Sequence, residues 1–245
     1  MIRVDESDDV VVLTLDDGRV NAMDVDLLGD LTRVLSDLAD APAIVVTGSG
    51  RAFSAGLDLR RLVDGGPQYV EQLLPALSEA FLAVFDHRRP VVAAINGHAL
   101  AGGCVLAAAS DVRLMSGGRF GLTELLVGVP FPIAVMEIVR FAFGPAASEL
   151  ALTGRTVDVG EALRCGLIHA AVEPDDLLDE AVRRATELGR LSRSAYAATK
   201  EQLHRPTRRA IDEARTSDDA RTLVAWTDAQ TLGSIALFVE GLAAK

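Results

Sequence analysis

The stretch that decides the fold reads PVVAAINGHALAGGCVLAAA and spans residues 90–109. Its first six residues, mainly Val, Ala and Ile, predict a buried strand over 90–95. A glycine-bearing loop follows over 97–103, and the small residues of 104–109 predict a helix. A strand that leads through a short loop into a helix is typical of a layered α/β fold with parallel strands.

The same alternation extends to both sides of this stretch. Apolar runs predict further strands over 10–15, 43–47 and 111–115. Asp24 is an N-cap candidate, and apolar residues at helical spacing after it predict a helix over 25–39. Another helix is predicted over 67–86, with Pro67 near its start. The first part of the chain is therefore predicted to be α/β with parallel pairing.

Strand signals nearly vanish from residue 132 onward, apart from 168–172. We predict an α/β core over residues 1–190 and a helical C-terminal region over 191–245. The predicted helices cover 132–143, 145–152, 158–165, 175–190, 194–204, 206–225 and 228–243.

Composition excludes several classes of function. The chain has 245 residues, 49% of them hydrophobic, and a formal net charge of −11. That charge argues against nucleic-acid partners and anionic membranes, since both need clustered Lys and Arg. No apolar run is long enough for a membrane span, and no metal-ligand spacing occurs. We expect neither a nucleic-acid nor a membrane partner, and no metal.

Cysteine usage and the N-terminus indicate a compartment. Cys104 and Cys165 are too few for a disulfide framework, which favours a reduced, cytoplasmic protein. The first six residues are too polar and acidic for a signal peptide.

Three segments carry the candidate chemistry, and each follows the carboxyl end of a predicted strand. They are RAFSAGLDL at 51–59, NGHALAGGC at 96–104 and FGLTE at 120–124. Open α/β sheets bind ligands at the carboxyl ends of their strands. Glycines allow close backbone approach, and a helix N-terminus offers free N–H groups. Such groups stabilise an oxygen that becomes negatively charged, as in enolate chemistry on a thioester.

These segments resemble the crotonase family, also called the enoyl-CoA hydratase/isomerase superfamily. Residues 52–59 match the family pattern A-F-x-x-G-x-D-L. Residues 90–103 nearly match its strand and glycine trio, with Ala101 in place of the first glycine of the trio. Residues 16–23 resemble its N-A-hydrophobic loop, and the resemblance covers most of 1–200. It implies a spiral of repeated ββα units with a C-terminal helical region, assembled as a homotrimer or a dimer of trimers.

The resemblance also implies a site. The N–H groups of Leu57 and Gly102 would form an oxyanion hole, and Glu124 would be the catalytic carboxylate. Coenzyme A would enter as part of an acyl-CoA thioester substrate, with no separate cofactor. The implied substrate-binding residues are Val20, Ala22, Ser54, Ala55, Gly56, Asp58, Leu59, Gly103 and Val105.

Val105 departs from the hydratases, whose first catalytic glutamate would fall at this position. Adding water is easiest with two carboxylates, whereas moving a double bond needs one base. We therefore expect an enoyl-CoA hydratase/isomerase-type enzyme with isomerase-like proton transfer by Glu124. The neighbours Leu122, Leu125, Leu126 and Val127 would desolvate Glu124 and favour its neutral form.

Alternatives share the same pattern: a non-catalytic acyl-CoA-binding protein, or a decarboxylase or thioesterase on the same fold. Segment 62–75 is expected to line the acyl pocket, and Arg60 and Arg61 are candidates for CoA phosphates. Four other residues are interpreted as structural, namely His98, Cys104, Asp111 and Trp226. Phe238 is likewise interpreted as packing, and the tail is expected to expose Leu223, Trp226, Ile235 and Phe238 for oligomerisation.

Overall fold

The computed structural model describes residues 1–7 and 9–243, which form two β-sheets surrounded by helices. The larger sheet has the order β1-β2-β3-β5-β7-β10 and the smaller one β4-β6-β8-β9. Pairing is parallel except between β1 and β2 and between β8 and β9. The strands are β1 (Ile2–Ser7), β2 (Val10–Leu15), β3 (Ile44–Gly48), β4 (Ala52–Ser54), β5 (Val91–Ile95), β6 (His98–Leu100), β7 (Val112–Met115), β8 (Phe120–Gly121), β9 (Thr156–Val157) and β10 (Ala170–Ala171).

The helices account for most of the second half of the chain. Short 3₁₀ helices lie at Glu124–Val127 and Pro174–Asp176. The α-helices are α1 (Val25–Asp37), α2 (Leu59–Phe85), α3 (Gly102–Ala109), α4 (Ile133–Phe143), α5 (Ala146–Thr153), α6 (Val159–Arg164), α7 (Leu177–Gly189), α8 (Arg193–Thr227) and α9 (Ala229–Ala243).

The chain winds as a spiral of ββα units. β3 joins the large sheet, β4 joins the small sheet, and α2 follows; β5, β6 and α3 repeat this order. β7 and β8 begin a third turn in the same way. The predicted fold of repeated ββα units with a C-terminal helical region is therefore confirmed. One consequence is that the loops after β4, β6 and β8 lie beside one another.

The first strand was absent from the sequence-based prediction. Residues 2–7 are mostly exposed and include three charged side chains, so they lack a strand pattern. They are held by antiparallel pairing with the wholly buried β2, from Ile2 opposite Leu15 to Ser7 opposite Val10. A neighbouring strand, rather than local preference, determines this edge.

Helix α2 begins at Leu59, eight residues before the predicted start. The carboxylate of Asp58 caps it by accepting hydrogen bonds from the N–H groups of Arg60 and Arg61, both at 3.0 Å. Gly66 has φ of 59° inside the helix, a conformation open to glycine, and the resulting kink accommodates Pro67. The prediction took this kink for a helix start.

The two helices predicted over 194–204 and 206–225 form the single helix α8. Pro206 lies inside it, where it removes one N–H donor and its ring crowds the carbonyl group of the preceding turn. Packing of α8 on α2 and α4 offsets that loss.

The C-terminal helices cover their own subunit, which corrects the expectation that their apolar residues are exposed. Trp226 is 2% exposed and Ile235 is fully buried, while Leu223 is half-buried. Only Phe238 of the four is exposed, at 39%. The burial of Trp226 and Ile235 and the partial burial of Leu223, where α9 packs on α2, remove the reason for assigning these three residues to a subunit interface. Among the described residues, no helix is long and apolar enough to cross a membrane.

Candidate active site

Two of the predicted loops touch through their backbones. Gly56 has φ of +93°, and a Cβ atom there would lie 2.9 Å from Cβ of Ala101 and 3.2 Å from N of Gly102. A Cβ atom at Gly103 would lie only 2.2 Å from the carbonyl oxygen of Ser54. Glycines at 56 and 103 therefore allow the loop after β4 to pack directly on the start of α3.

The N–H of Leu57 points away from the neighbouring segment of backbone at Met23. The N–H of Met23 donates to the carbonyl of Gly56 at 2.7 Å, and the N–H of Asp58 donates to the carbonyl of Met23 at 2.8 Å. These two bonds form a parallel bridge between Met23 and Leu57. In such a bridge the central residue directs its own N–H to the opposite side. For Leu57, that side is open.

Gly102 opens the eight-residue helix α3, so its N–H precedes the first intrahelical bond. Ala101, just before it, has φ of 48° and ψ of −123°, which turns the chain sharply into the helix. In the part of the chain that the structure describes, the N–H groups of Leu57 and Gly102 donate no hydrogen bond. Both N–H groups therefore lack an acceptor among the described residues, and both residues line the same cavity.

Glu124 begins the 3₁₀ helix after β8. The residue as a whole is half-buried, but its Oε2 is buried and has no hydrogen-bond partner among the described residues. Burial raises the pKa of Glu124 to about 8, although its own N–H and that of Thr123 act to lower it. A carboxyl group with this pKa can exchange a proton near neutral pH.

A cavity of about 530 Å³ joins these groups. Its deep wall is apolar and buried, whereas its outer wall includes exposed residues such as Val20 and Arg60. It is lined by Val20, Ala22, Ala55, Leu57, Asp58, Leu59, Arg60, Leu77, Phe81, Leu100, Ala101, Gly102, Val105, Thr123, Glu124, Val127, Val129, Phe131, Pro132, Val135, Trp226, Ile235, Phe238 and Val239.

Most of the residues predicted for the site line this cavity, but Ser54, Gly56 and Gly103 lie behind its wall. Ser54 Oγ donates to the carbonyl of Asn21 at 2.7 Å and accepts from the N–H of Gly56 at 3.1 Å. These three residues therefore shape the loops instead of facing the cavity. The nine that do line it are Val20, Ala22, Ala55, Leu57, Asp58, Leu59, Gly102, Val105 and Glu124.

Asn21 holds the loop that carries Val20 and Ala22. It is fully buried, with φ of 50°, and its side-chain amide donates to the carbonyl of Ala52 at 2.8 Å. Asparagine tolerates this left-handed conformation better than most residues. A buried amide at a positive φ gives no periodic signal, so the sequence did not reveal this role.

Several expectations about the cavity are wrong. Segment 62–75 does not line it, because the segment belongs to α2 and directs Leu62, Val70 and Leu73 into the core. Leu125 and Leu126 are exposed and cannot desolvate Glu124. The reason is the tight 3₁₀ turn, which directs successive side chains away from one another.

Trp226 and Phe238, interpreted as packing residues, both line the cavity. The tail supplies them together with Ile235 and Val239. Helical periodicity identified them as apolar positions but could not indicate whether they face a core or a cavity.

Of the remaining candidate residues, one lines the cavity and three do not. Arg60 lines the cavity, whereas Arg61 forms ion pairs with Asp24 and Asp26 at 2.5 and 3.1 Å. Cys104 is fully buried, as expected of a core residue, and burial raises the pKa of its thiol well above the ordinary value. Exposed His98 lies outside the cavity lining, and its Nδ1 accepts from the N–H of Arg119 at 3.2 Å.

Asp111 is held in a structural arrangement. It accepts from the N–H of Val91 at 2.8 Å and pairs with Lys200 at 2.8 Å. Within the described residues, no three His, Cys, Asp or Glu side chains are grouped as a metal site.

The ββα spiral and the cavity at its loops define a crotonase-type protein, and sequence comparison gives the family. The pattern described as Enoyl-CoA hydratase/isomerase matches residues 5–244. The chain belongs to this family and is an enzyme of it.

Relatives of the chain carry several names within the family. It is 34% identical over 222 residues to "Probable enoyl-CoA hydratase echA8" of Mycobacterium bovis, covering 86% of this chain and 84% of the relative. It is 30% identical over 210 residues to the carnitinyl-CoA dehydratase of Citrobacter koseri, covering 83% and 80%.

Solved structures of other proteins resemble this chain over most of its length. The enoyl-CoA hydratase EchA3 of Mycobacterium ulcerans has a TM-score of 0.83 at 26% identity, with 89% of this chain and 98% of that one covered. The human mitochondrial Δ3-Δ2-enoyl-CoA isomerase has a TM-score of 0.92 at 23% identity, with 99% and 98% covered. The latter likeness concerns the fold alone.

Ala101 provides a test of backbone strain at this site. A positive φ costs a residue with a Cβ atom about 1–3 kcal/mol of stability, and glycine avoids this cost. Glycine in turn makes the unfolded chain more flexible, which lowers the stability of the folded state by about 0.4–1 kcal/mol. We expect Ala101→Gly to stabilise the protein by about 1 kcal/mol and raise Tm by about 2–4 °C in thermal unfolding.

Ala99→Gly is the matched control, since Ala99 is buried in β6 without a positive φ. That substitution should lower Tm. A lower Tm for Ala101→Gly would show that position 101 is not strained.

Proposed function

We propose that the protein is an acyl-CoA enzyme that moves a double bond along an enoyl thioester, with Glu124 as the only base. The observation that carries this proposal is the contrast between two positions of the cavity. Glu124 has a buried carboxyl oxygen that finds no partner among the residues the structure describes, whereas Val105 is fully buried and has no polar side-chain atom.

The first step uses the backbone. A thioester oxygen accepting from the N–H groups of Leu57 and Gly102 would be stabilised as negative charge develops on it. The N-terminus of α3 adds a favourable dipole at the same point. Both effects acidify the carbon beside the carbonyl group.

The second step belongs to Glu124. Its carboxylate removes a proton from C2 of a 3-enoyl thioester, and the electron pair spreads over the carbonyl group and the C3–C4 double bond. The carboxylic acid then returns the proton to C4, which leaves the double bond between C2 and C3. Proton number and charge balance with one carboxyl group.

Hydration would need a second polar group to orient and activate water. The other carboxylate in the cavity lining is Asp58, which accepts hydrogen bonds from two N–H groups as the N-cap of α2. The side chain of Val105 offers no hydrogen bond to a water molecule. Relatives named as hydratases therefore do not transfer their named reaction to this chain.

The cavity also suits the two halves of an acyl-CoA. Its outer part carries exposed Arg60, whose charge is suited to a CoA phosphate. Its interior is lined by buried apolar residues such as Phe81 and Val135 and is suited to the acyl chain. The predicted substrate-binding residues Val20, Ala22, Ala55, Asp58 and Leu59 remain proposed contacts.

The experiment that tests the oxyanion hole is Gly56→Ala. The added methyl group would collide with Ala101 and the nitrogen of Gly102, forcing the two N–H donors apart. Losing one such donor costs about 10²–10³ in rate. We expect kcat for 3-enoyl-CoA to fall by about 10² or more.

Gly50→Ala is the control, because Gly50 also has a positive φ, of +67°, but open space around its Cα. It introduces similar backbone strain without the collision, so kcat should stay close to that of the wild type. Equal losses in the two variants would argue against the hole.

A second experiment tests the single base. Wild-type protein should isomerise 3-enoyl-CoA faster than it hydrates 2-enoyl-CoA. Glu124→Gln should abolish both reactions and still bind the thioester, because the amide has a similar shape and cannot act as a base. Vigorous hydration without isomerisation would contradict the proposal. Analysis of the products would reveal a decarboxylase or a thioesterase, and binding without turnover would indicate a non-catalytic acyl-CoA-binding protein.

The pH profile provides an independent reading of Glu124. The base acts in its ionised form, so kcat/KM should rise with pH and reach half its plateau near pH 8, the pKa of Glu124.

The raised pKa of Glu124 also means that the folded protein keeps a proton which the unfolded chain loses. Stability should therefore fall between about pH 4.5 and 8, and this fall should vanish in Glu124→Gln.

We also propose that the chain assembles as a homotrimer or a dimer of trimers. Support comes from apolar side chains that stay exposed on the tail, namely Val224 on α8 and Leu237 and Phe238 on α9. Light scattering at micromolar concentration should report three or six subunits. A monomer would exclude the proposal.

A further inference from the structure

The inner end of the cavity is closed by a short segment that is hydrogen-bonded to α8. Segment 130–133 links Val129 to helix α4, and Phe131 and Pro132 within it line the cavity. Trp226 Nε1 donates to the carbonyl of Pro130 at 2.8 Å. The indole of Trp226 therefore has a fixed position against this segment, and it is 2% exposed.

Two more bonds continue this attachment along α8. One helical turn before Trp226, Thr222 Oγ1 donates to the carbonyl of Phe131 at 3.4 Å. Asp219 accepts from the N–H of Ile133 at 3.1 Å. Positions 219, 222 and 226 lie on one face of a helix, so a single face of α8 holds the whole segment.

A second cavity lies behind this closure. It has a volume of about 290 Å³ and shares Pro132 with the first cavity. Helices α8 and α2 each contribute residues to both cavities. On α8, Thr222 and Leu223 line the second cavity and Trp226 lines the first. On α2, Leu74 lines the second cavity and Leu77 lines the first. The partition between the two cavities therefore contains Pro132, which lines both, and Trp226 lies on the side of the first cavity.

The direction of a bound chain follows from the polarity of the first cavity. The exposed end, with Arg60, suits the hydrated and charged part of a thioester ligand. The acyl chain then extends from the N–H groups of Leu57 and Gly102 toward the buried apolar end, where Trp226 stands.

We propose that Trp226 ends the acyl pocket and thereby sets the longest acyl chain that the enzyme accepts. The proposal rests on the proposed function in one respect, namely that the occupant is an acyl thioester. A tryptophan is suited to this role because it is large and has few rotamers, and its N–H anchors it to Pro130. A chain longer than the pocket would have to displace both the indole and this hydrogen bond.

The test is acyl-chain selectivity measured by binding, with saturated acyl-CoA thioesters from four to sixteen carbons as probes. Isothermal calorimetry gives Kd for the wild type, Trp226→Ala and the milder Trp226→Leu. Wild-type affinity should rise with each carbon and then stop rising. In both variants the rise should continue to longer chains, with about fourfold tighter binding for each additional buried methylene.

Leu223→Ala is the matched control, because it enlarges the second cavity without opening the partition. It should keep the wild-type length limit. An unchanged limit in folded Trp226→Leu, or the same shift in Leu223→Ala, would overturn the proposal.

Saturated probes cannot be isomerised, so this readout is independent of turnover. A wild type that binds them with a clear length limit but does not isomerise 3-enoyl-CoA would refute the proposed reaction and leave the role of Trp226 intact. Absence of binding for every acyl-CoA would refute the assigned occupant, and with it both proposals.

Discussion

The rest of the structure depends on one close contact, that of the backbone at Gly56 and Leu57 with the start of α3. There is no room for a side chain at Gly56 or Gly103, and these two glycines bring strands of separate ββα turns together. At the same contact, the N–H groups of Leu57 and Gly102 have no acceptor within residues 1–7 and 9–243. N–H donors without acceptors are costly when they are shielded from water, so a site of this kind is stable only where the surrounding packing fixes it.

That packing is supplied from distant parts of the chain. Helix α3 is buried along its whole length, which requires its run of small residues, and Phe81 of α2 lies against Gly102. Ala101 takes up a backbone conformation that favours glycine, so part of the packing energy is spent on the turn into α3. The tail contributes apolar side chains to the lining of the cavity, and burial within the fold raises the pKa of Glu124 and favours its neutral form.

Local patterns in the sequence were enough to predict an α/β fold with parallel strands and candidate loops after them, whereas the ββα spiral and the role of Glu124 were implied by the resemblance to the crotonase family. Local patterns failed where distant partners decide the outcome. The edge strand β1 forms only because β2 is beside it, and Pro206 is tolerated because α8 packs on two helices. Trp226 and Ile235 have the same apolar signal whether they face a core, a cavity or another subunit. Only the fold distinguishes these three cases, and here it directs both residues into the cavity.

Burial also explains why one carboxyl group suits this cavity better than two. Burial alone raises the pKa of Glu124 to about 8, so its neutral and ionised forms are close in free energy near neutral pH. A second carboxylate at the fully buried position 105 would pay its own desolvation cost and would repel the first. Adding water is easiest with such a pair and with polar partners that stabilise it, whereas moving a proton within one substrate needs a single carboxyl group. The apolar lining and the valine at 105 thus both support the chemistry proposed above, in which one group takes a proton and gives it back.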